Sequence, residues 1–221
     1  LTRDGDVHVL TLINGSEENR FTEDVVHEYL AALGRLEAFE GNTALLVTSS
    51  DPKFWCNGIN LHWFMAQPRD YYQTFADLLD RLFLRFALLN MPTVGCLTGH
   101  AFAGGAILAT TLDFRLMRLD RGYLCYPEVD IRIPFTPLMH QVLNLLPDRS
   151  TAAELLLTGK RIGGKEAQER RIVVDACPAE ALLQAAMDLA RSLAKKDRKT
   201  YAAIKLGMRK DLLEAWGNLP A

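Results

Sequence analysis

The sequence lacks most of the features that announce the commoner kinds of chemistry. Its four cysteines, Cys56, Cys96, Cys125 and Cys177, lie far apart and form no C-x-x-C. That spacing argues against a disulfide framework and predicts reduced, buried thiols of an intracellular protein. The five histidines are scattered, and no His or Cys pair has ligand spacing, so no metal is expected. No apolar run reaches the length of a membrane span, because charges interrupt every candidate. Excess charge is small too: 25 Lys and Arg against 27 Asp and Glu leave -2. So weak a field recommends neither nucleic acid nor an anionic membrane as a partner.

Familiar active-site signatures are missing as well. There is no G-x-G-x-x-G dinucleotide fingerprint and no G-x-S-x-G nucleophile elbow. "GKRIGGKE" (Gly159–Glu166) spaces its glycines and lysine like a phosphate loop, but Glu166 stands where Ser or Thr would bind magnesium. The sequon Asn14-Gly15-Ser16 reads as a turn, given this cysteine usage. No repeat and no low-complexity linker is visible. No leader is legible at Leu1, where the sequence begins without methionine, and the ending "GNLPA" carries no peroxisomal tripeptide.

What is present is a chain of 221 residues, 49% hydrophobic, enough for one large domain or a domain with a small appendage. "VHVLTLI" (Val7–Ile13) alternates like a strand and stops at Asn14-Gly15. Thr22 can cap a helix running to about Glu40. "TALLVTSS" (Thr43–Ser50) and "TVGCLTG" read as buried strands, with "FRLMRL" and "YLCYPE" as further extended segments. "DPKFWCNGIN" (Asp51–Asn60) reads as a loop, and Tyr71 to Leu89 as a long helix stopped before Pro92. After Pro134 the pattern turns helical. Strands alternating with helices predict an α/β core with an appended helical layer.

The stretch "LTGHAFAGGAILATTLDFRLMRL" (Leu97–Leu119) is broken by Gly99, Gly104 and Gly105. Glycine inside an element costs roughly 1 kcal/mol against alanine, so the backbone there must turn sharply or admit a close approach. A second glycine-bearing loop, "FWCNGINL", follows the other buried strand. If the two strands are parallel neighbours, their carboxyl ends lie side by side. Each loop can then offer one backbone N–H to a single oxygen, which would stabilise the enolate of a thioester. The bland alternative is that both loops are only tight turns.

The pair "KFWCNGINL" and "GHAFAGGAILATTLDFRLM" resembles the enoyl-CoA hydratase/isomerase (crotonase) superfamily. "YPEVDIRIPF" and "LLLTGKRIGGKEA" continue the likeness in order, over nearly the whole chain. The wording is most similar to Δ3,Δ2-enoyl-CoA isomerases of the plant peroxisomal kind. The resemblance implies a crotonase-like ββα spiral core over 1–134, carrying the oxyanion-hole loops and the catalytic glutamate. It also implies a helical C-terminal region over 135–221 for packing and trimerisation, assembly as a homotrimer or hexamer, and an acyl-CoA substrate. Coenzyme A would arrive as part of that substrate, with no separate cofactor. The location implied is intracellular: cytoplasmic in a bacterium, peroxisomal or mitochondrial in a eukaryote.

Carried over by position, the resemblance puts the oxyanion N–H groups on Ile59 and Gly104. Hydratases of the family hold two glutamates around the substrate. The first position is Ile107 here, and the second is Glu128. One carboxylate suffices to move a double bond from position 3 to position 2, whereas adding water uses both. Substrate contacts are implied at Arg20, Cys56, Asn57, Gly58, Asn60, Phe64, Ile107 and Phe135, with Asn19–Phe21 and Cys56–Asn57 along the coenzyme edge. Asn60 replaces the family's common Asp. Trp63, Phe75, Leu79 and Phe83 are further candidates for an acyl pocket, or plain core. The alternatives are a hydratase or acyl-CoA hydrolase of the same fold, or a non-catalytic acyl-CoA binder.

Overall fold

Ala44, Leu45, Leu46 and Val47 are all fully buried, although successive residues of a strand point to opposite faces. Both faces of their sheet are therefore covered, as in parallel α/β sheets. The computed structural model describes residues 1–217. Most of the "GNLPA" ending, residues 218–221, lies outside the described residues.

The strands, in chain order, are β1 (Thr2–Asp4), β2 (Val7–Leu12), β3 (Ala44–Ser49), β4 (Phe54–Cys56), β5 (Thr93–Leu97), β6 (His100–Phe102), β7 (Phe114–Arg118), β8 (Leu124–Cys125) and β9 (Asp175–Cys177). The helices before Pro134 are α1 (Glu23–Glu37), α2 (Leu61–Met65), α3 (Tyr71–Ala87), α4 (Gly104–Thr111) and α5 (Glu128–Ile131). Six follow it: α6 (Pro137–Leu143), α7 (Arg149–Thr158), α8 (Gly164–Glu169), α9 (Ala179–Ala194), α10 (Arg198–Met208) and α11 (Lys210–Gly217).

A large sheet has the order β1-β2-β3-β5-β7-β9 and a small one the order β4-β6-β8. Only the β1–β2 pair is antiparallel among the described strands. Each of β3, β5 and β7 is followed by a strand of the small sheet and then by helix. The chain therefore winds as a spiral of strand, strand and helix. β3 and β5 are parallel neighbours, with Leu46 opposite Val94, so the two glycine-bearing loops leave the same edge together.

α9 covers one face of the large sheet. Leu182, Ala186, Ala190, Leu193 and Ala194, at helical spacing, pack against Val7, Leu46, Val94 and Leu116. α1, α3 and α4 fill the other face. Thr22 caps α1, its side chain accepting from the Val25 N–H. The C-terminal helices are tied back by cations that capture carbonyls at helix ends. Lys205 donates to the Leu89 and Met91 carbonyls and pairs with Asp113 at 2.7 Å.

Several short elements differ from the sequence expectation. β4 lies inside the segment read as a loop, β9 inside the region read as helical, and β1, β6, α2 and α5 went unread. Strands of three residues are too short to display a period of two. They form because a neighbour offers a ladder: β9 runs beside β7, with Met117 opposite Ala176.

Candidate active site

The three glycines of the broken stretch are explained by what lies against them. A Cβ on Gly99 would sit 2.2 Å from the Lys53 carbonyl oxygen, and one on Gly105 would sit 2.2 Å from that of Cys56. β6 and the start of α4 thus press directly on the backbone of the first loop. Gly104 lies under the Phe21 ring and beside the Cα of Gly58, 3.1 and 3.5 Å from where its Cβ would be. Gly58 has φ +72°, and a Cβ there would be 2.9 Å from the Gly104 nitrogen. Two loops some fifty residues apart therefore meet at their glycines.

Ile59, the residue after Gly58, and Gly104 itself hold the two N–H groups in question. Phe21 N–H donates to the Gly58 carbonyl and Asn60 N–H to the Phe21 carbonyl, and these bonds clamp Ile59 between them. Neither the Ile59 N–H nor the Gly104 N–H has an acceptor among the described residues. For Gly104 the reason is its place as first residue of α4, where N–H groups have no intrahelical partner. Ala103, just before it, has φ +50° and ψ −126°, a conformation that costs a non-glycine residue of the order of 1–3 kcal/mol. The residue that sets the direction of the Gly104 N–H is thus held in a strained conformation.

Both residues open onto a cavity of about 370 Å³. Its walls are mostly apolar: Phe64 from α2, Tyr72, Phe75, Leu79 and Phe83 from one face of α3, Ile107 from α4, and Phe135 and Met139 around the start of α6. Polar side chains are few: Arg20, Asn57, His62, Glu128 and Thr136, with the Tyr72 hydroxyl. Arg20 pairs with Glu18, whose Oε2 also accepts from Asn57 Nδ2 at 2.5 Å. One carboxylate thus fixes both Arg20 and Asn57.

Glu128 begins α5 and is 7% exposed. Its Oε2 has no hydrogen-bond partner. Burial pushes its carboxyl up to about 7, against a small opposing effect from its own backbone N–H. A carboxylate with a free oxygen and a pKa near neutrality is suited to take up and return a proton. Ile107, 2% exposed, shares the cavity and supplies a methyl-bearing wall.

The structure thus brings together Arg20, Asn57, Ile59, Phe64, Gly104, Ile107, Glu128 and Phe135, and it separates the rest of the expected contacts. Cys56 is fully buried and its thiol donates to the Asn19 carbonyl. Gly58 faces the second loop rather than the cavity. Asn60 caps α2 by accepting from the Trp63 N–H. As cavity contacts these three are corrected: each builds the loop that presents Ile59. Asn19 and Phe21 are likewise internal, and the Asn19 amide ties its loop to Ser49, Phe54 and Trp55. Trp63 packs on the core outside the cavity. Sequence reasoning missed Tyr72, Ala76, Ile131, Ile133 and Met139. The spacing 72, 75, 76, 79, 83 was a usable signal, since it traces one helix face. Among the described residues no three His, Cys, Asp or Glu side chains are grouped to hold a metal ion.

The winding of strand, strand and helix is the crotonase fold. A solved structure of an enoyl-CoA hydratase/isomerase family protein from Pseudomonas syringae matches it with a TM-score of 0.89, over 98% of this chain and 92% of that one. At 23% identity that likeness speaks for the fold alone. The sequence carries the matter further. The enoyl-CoA hydratase/isomerase family model matches residues 2–216. Enoyl-CoA delta isomerase 3 of Arabidopsis thaliana is 32% identical, over 96% of this chain and 92% of that protein. Peroxisomal enoyl-CoA delta isomerase 2 of the same plant is 34% identical over the same shares. The chain belongs to the enoyl-CoA hydratase/isomerase family, a family of enzymes.

Proposed function

We propose that the protein moves the double bond of a 3-enoyl-CoA to the trans-2 position. The observation that carries this reading is the lone carboxylate. Glu128 shares its cavity with two N–H groups that lack a protein acceptor, while the position of a hydratase's other glutamate is filled by Ile107. The thioester oxygen would lie between Ile59 N–H and Gly104 N–H. Glu128 would take a proton from C2, the two N–H groups would hold the dienolate oxygen, and Glu128 would return the proton at C4. The donors act at an apolar site, where each is worth far more than in water. Ile107 withholds the second carboxylate that would position an attacking water. Arg20, beside the cavity, is the cation best placed for the anionic part of coenzyme A. No further cofactor enters this scheme, and assembly as a trimer or hexamer belongs to the same proposal.

Incubation with 3-hexenoyl-CoA and, separately, with 2-hexenoyl-CoA tests the reaction. The expected product of the first is 2-hexenoyl-CoA, with little 3-hydroxyhexanoyl-CoA from the second. Hydration as fast as isomerisation would replace this reading with a hydratase.

Ile107→Glu probes the same argument from the other side. Two carboxylates in one apolar cavity cannot both ionise easily, so one pKa rises. Isomerisation at pH 7 is expected to fall at least ~10-fold, with the pH–rate profile displaced upward, because the base is then largely protonated. An unchanged profile would mean that residue 107 does not face Glu128.

A further inference from the structure

A second buried carboxylate lies behind the cavity wall, and the reaction does not use it. Asp80 of α3 is fully buried. Its Oδ1 accepts from the Thr136 hydroxyl at 2.7 Å, and its Oδ2 has no partner. No cation pairs with it among the described residues, and burial pushes its carboxyl up to about 7. An unpaired buried carboxyl is costly, so its place calls for a reason.

Helix capping alone does not supply one. Thr136 caps α6 by accepting from the Met139 N–H at 3.1 Å, which needs only a lone pair. The hydroxyl hydrogen is surplus to the cap, and Asp80 takes it. That bond has a consequence for the segment 132–136, which links α5, where Glu128 sits, to α6. Ile133, Pro134, Phe135 and Thr136 all line the cavity. The segment's backbone is held at its start by Ile133 N–H donating to the Glu128 carbonyl at 3.1 Å. Beyond its ties to α6, which it enters, its one side-chain hydrogen bond to another element, among the described residues, is that from Thr136 to Asp80. Asp80 also follows Leu79 and lies four residues after Ala76, at the edge of the α3 face that forms the opposite wall. This hydrogen bond therefore ties the segment to the α3 wall, beside the apolar packing of α3 and α6.

We propose that Asp80 is a positioning residue that limits acyl-chain length, by tethering through Thr136 the segment that closes the cavity against α3. The proposal rests on the acyl-CoA reading of the cavity. Loss of the tether lets residues 133–136 recede, and a longer chain then fits at lower cost. Glu128 and the two N–H donors are untouched, so the chemistry on a short chain continues.

The test compares Asp80→Ala, Asp80→Asn and Thr136→Val with the unaltered protein. Two readouts are taken: kcat and KM on 3-hexenoyl-CoA and 3-dodecenoyl-CoA, and calorimetric Kd for hexanoyl-CoA and dodecanoyl-CoA, which cannot react. Asp80→Ala and Thr136→Val are expected to raise the dodecenoyl-to-hexenoyl ratio of kcat/KM at least ~5-fold, through KM. The Kd ratio should move in the same direction, and Asp80→Ala, whose site lies outside the cavity lining, should keep kcat on the short substrate within about 2-fold. Asp80→Asn keeps an oxygen for the Thr136 hydroxyl and is expected to keep the original ratio. Uniform loss on both chain lengths, or variants that only lose stability, would assign Asp80 to the scaffold and overturn the proposal. Binding of both thioesters at unchanged ratio overturns it alone. Binding of neither overturns the acyl-CoA reading and this proposal with it. Binding without turnover leaves the Kd ratio to decide the tether and sinks only the isomerase assignment.

Discussion

Glu128→Gln is expected to inactivate the protein and stabilise it at the same time. Glutamine keeps the size and hydrogen bonding of the side chain but cannot accept a proton at this pH. General acid–base groups contribute about 10²–10⁴-fold, so isomerase turnover should fall at least ~10²-fold while acyl-CoA binding persists. The unaltered protein should show kcat/KM rising with pH through about 7, as Glu128 ionises, and that limb should vanish in the variant. The stability effect follows from the same shift. The folded-state pKa is about 7 against an ordinary value of 4.5, so the folded state holds a proton that the unfolded chain has released between those limits. Stability is therefore lost as pH rises from about 4.5 to about 7 and stays low above. Asp80, also raised to about 7, adds to the trend in the same direction. Removing the ionisable group at 128 should recover on the order of 2–3 kcal/mol at pH 8 and little at pH 4.5. Activity assays and thermal melts at the two pH values read both halves. A glutamine variant with near-normal turnover removes Glu128 from the mechanism. One equally inactive but no more stable at pH 8 shows that the carboxylate is not desolvated in solution.

Such a trade of stability against activity fits the way the site is made, and it bears on what the sequence could reveal. Long elements were legible because their burial is one-sided or complete. Thr22 announced α1, and the apolar runs in β3 and β5 announced buried strands. The strands β1, β4, β6 and β9, three residues each, were not legible, since pairing partners far away in sequence create them. The glycines marked where two loops touch, but not that they touch each other. That needed the parallel pairing of β3 with β5. Glu128, Ile59 and Gly104 came from a family likeness carried over by position. Spacing alone left a loop glutamate and two turns. Asp80 had no signature at all. It stands in "DLLDRLF", where Asp77 is half-buried and Asp80 fully buried, and composition treats the two alike. Only the partner on α6 distinguishes them. Cys56, Gly58 and Asn60 stay out of the cavity lining for a related reason. Their neighbours in sequence reach the cavity, while their own groups are spent on shaping the loop.

The two N–H donors give the other large effect, and the backbone can be altered without changing the cavity's side chains. Gly104→Pro removes the N–H itself. Proline is ordinarily tolerated at the first position of a helix, because that N–H has no intrahelical acceptor. Loss of activity at this position would therefore reflect the donor more than the helix. Two features could confuse the result. Ala103 precedes the change with φ +50°, whereas residues before proline favour extended backbone, so the loop must adjust. A side chain at 104 also meets the Phe21 ring 3.1 Å from its Cβ, and the ring must give by a few tenths of an ångström. Gly104→Ala makes the second contact while keeping the N–H, and it separates crowding from the lost donor. Gly58→Ala attacks from the other loop. Its methyl would stand 2.9 Å from the Gly104 nitrogen, covering the donor, and φ +72° strains any side chain there. Ile59→Ala leaves its N–H in place and serves as the mild control. Removing one oxyanion donor typically costs about 10²–10³ in kcat. Gly104→Pro and Gly58→Ala are expected in that range or below it, with Gly104→Ala within ~10-fold of normal and Ile59→Ala milder still. Circular dichroism and thermal melts identify which variants remain folded. A folded Gly104→Pro protein that turns over 3-hexenoyl-CoA at the normal rate would show that this N–H does not hold the oxyanion. If Gly104→Ala is as inactive as Gly104→Pro, space beside Phe21 is the decisive factor, and the donor role passes to Ile59 alone.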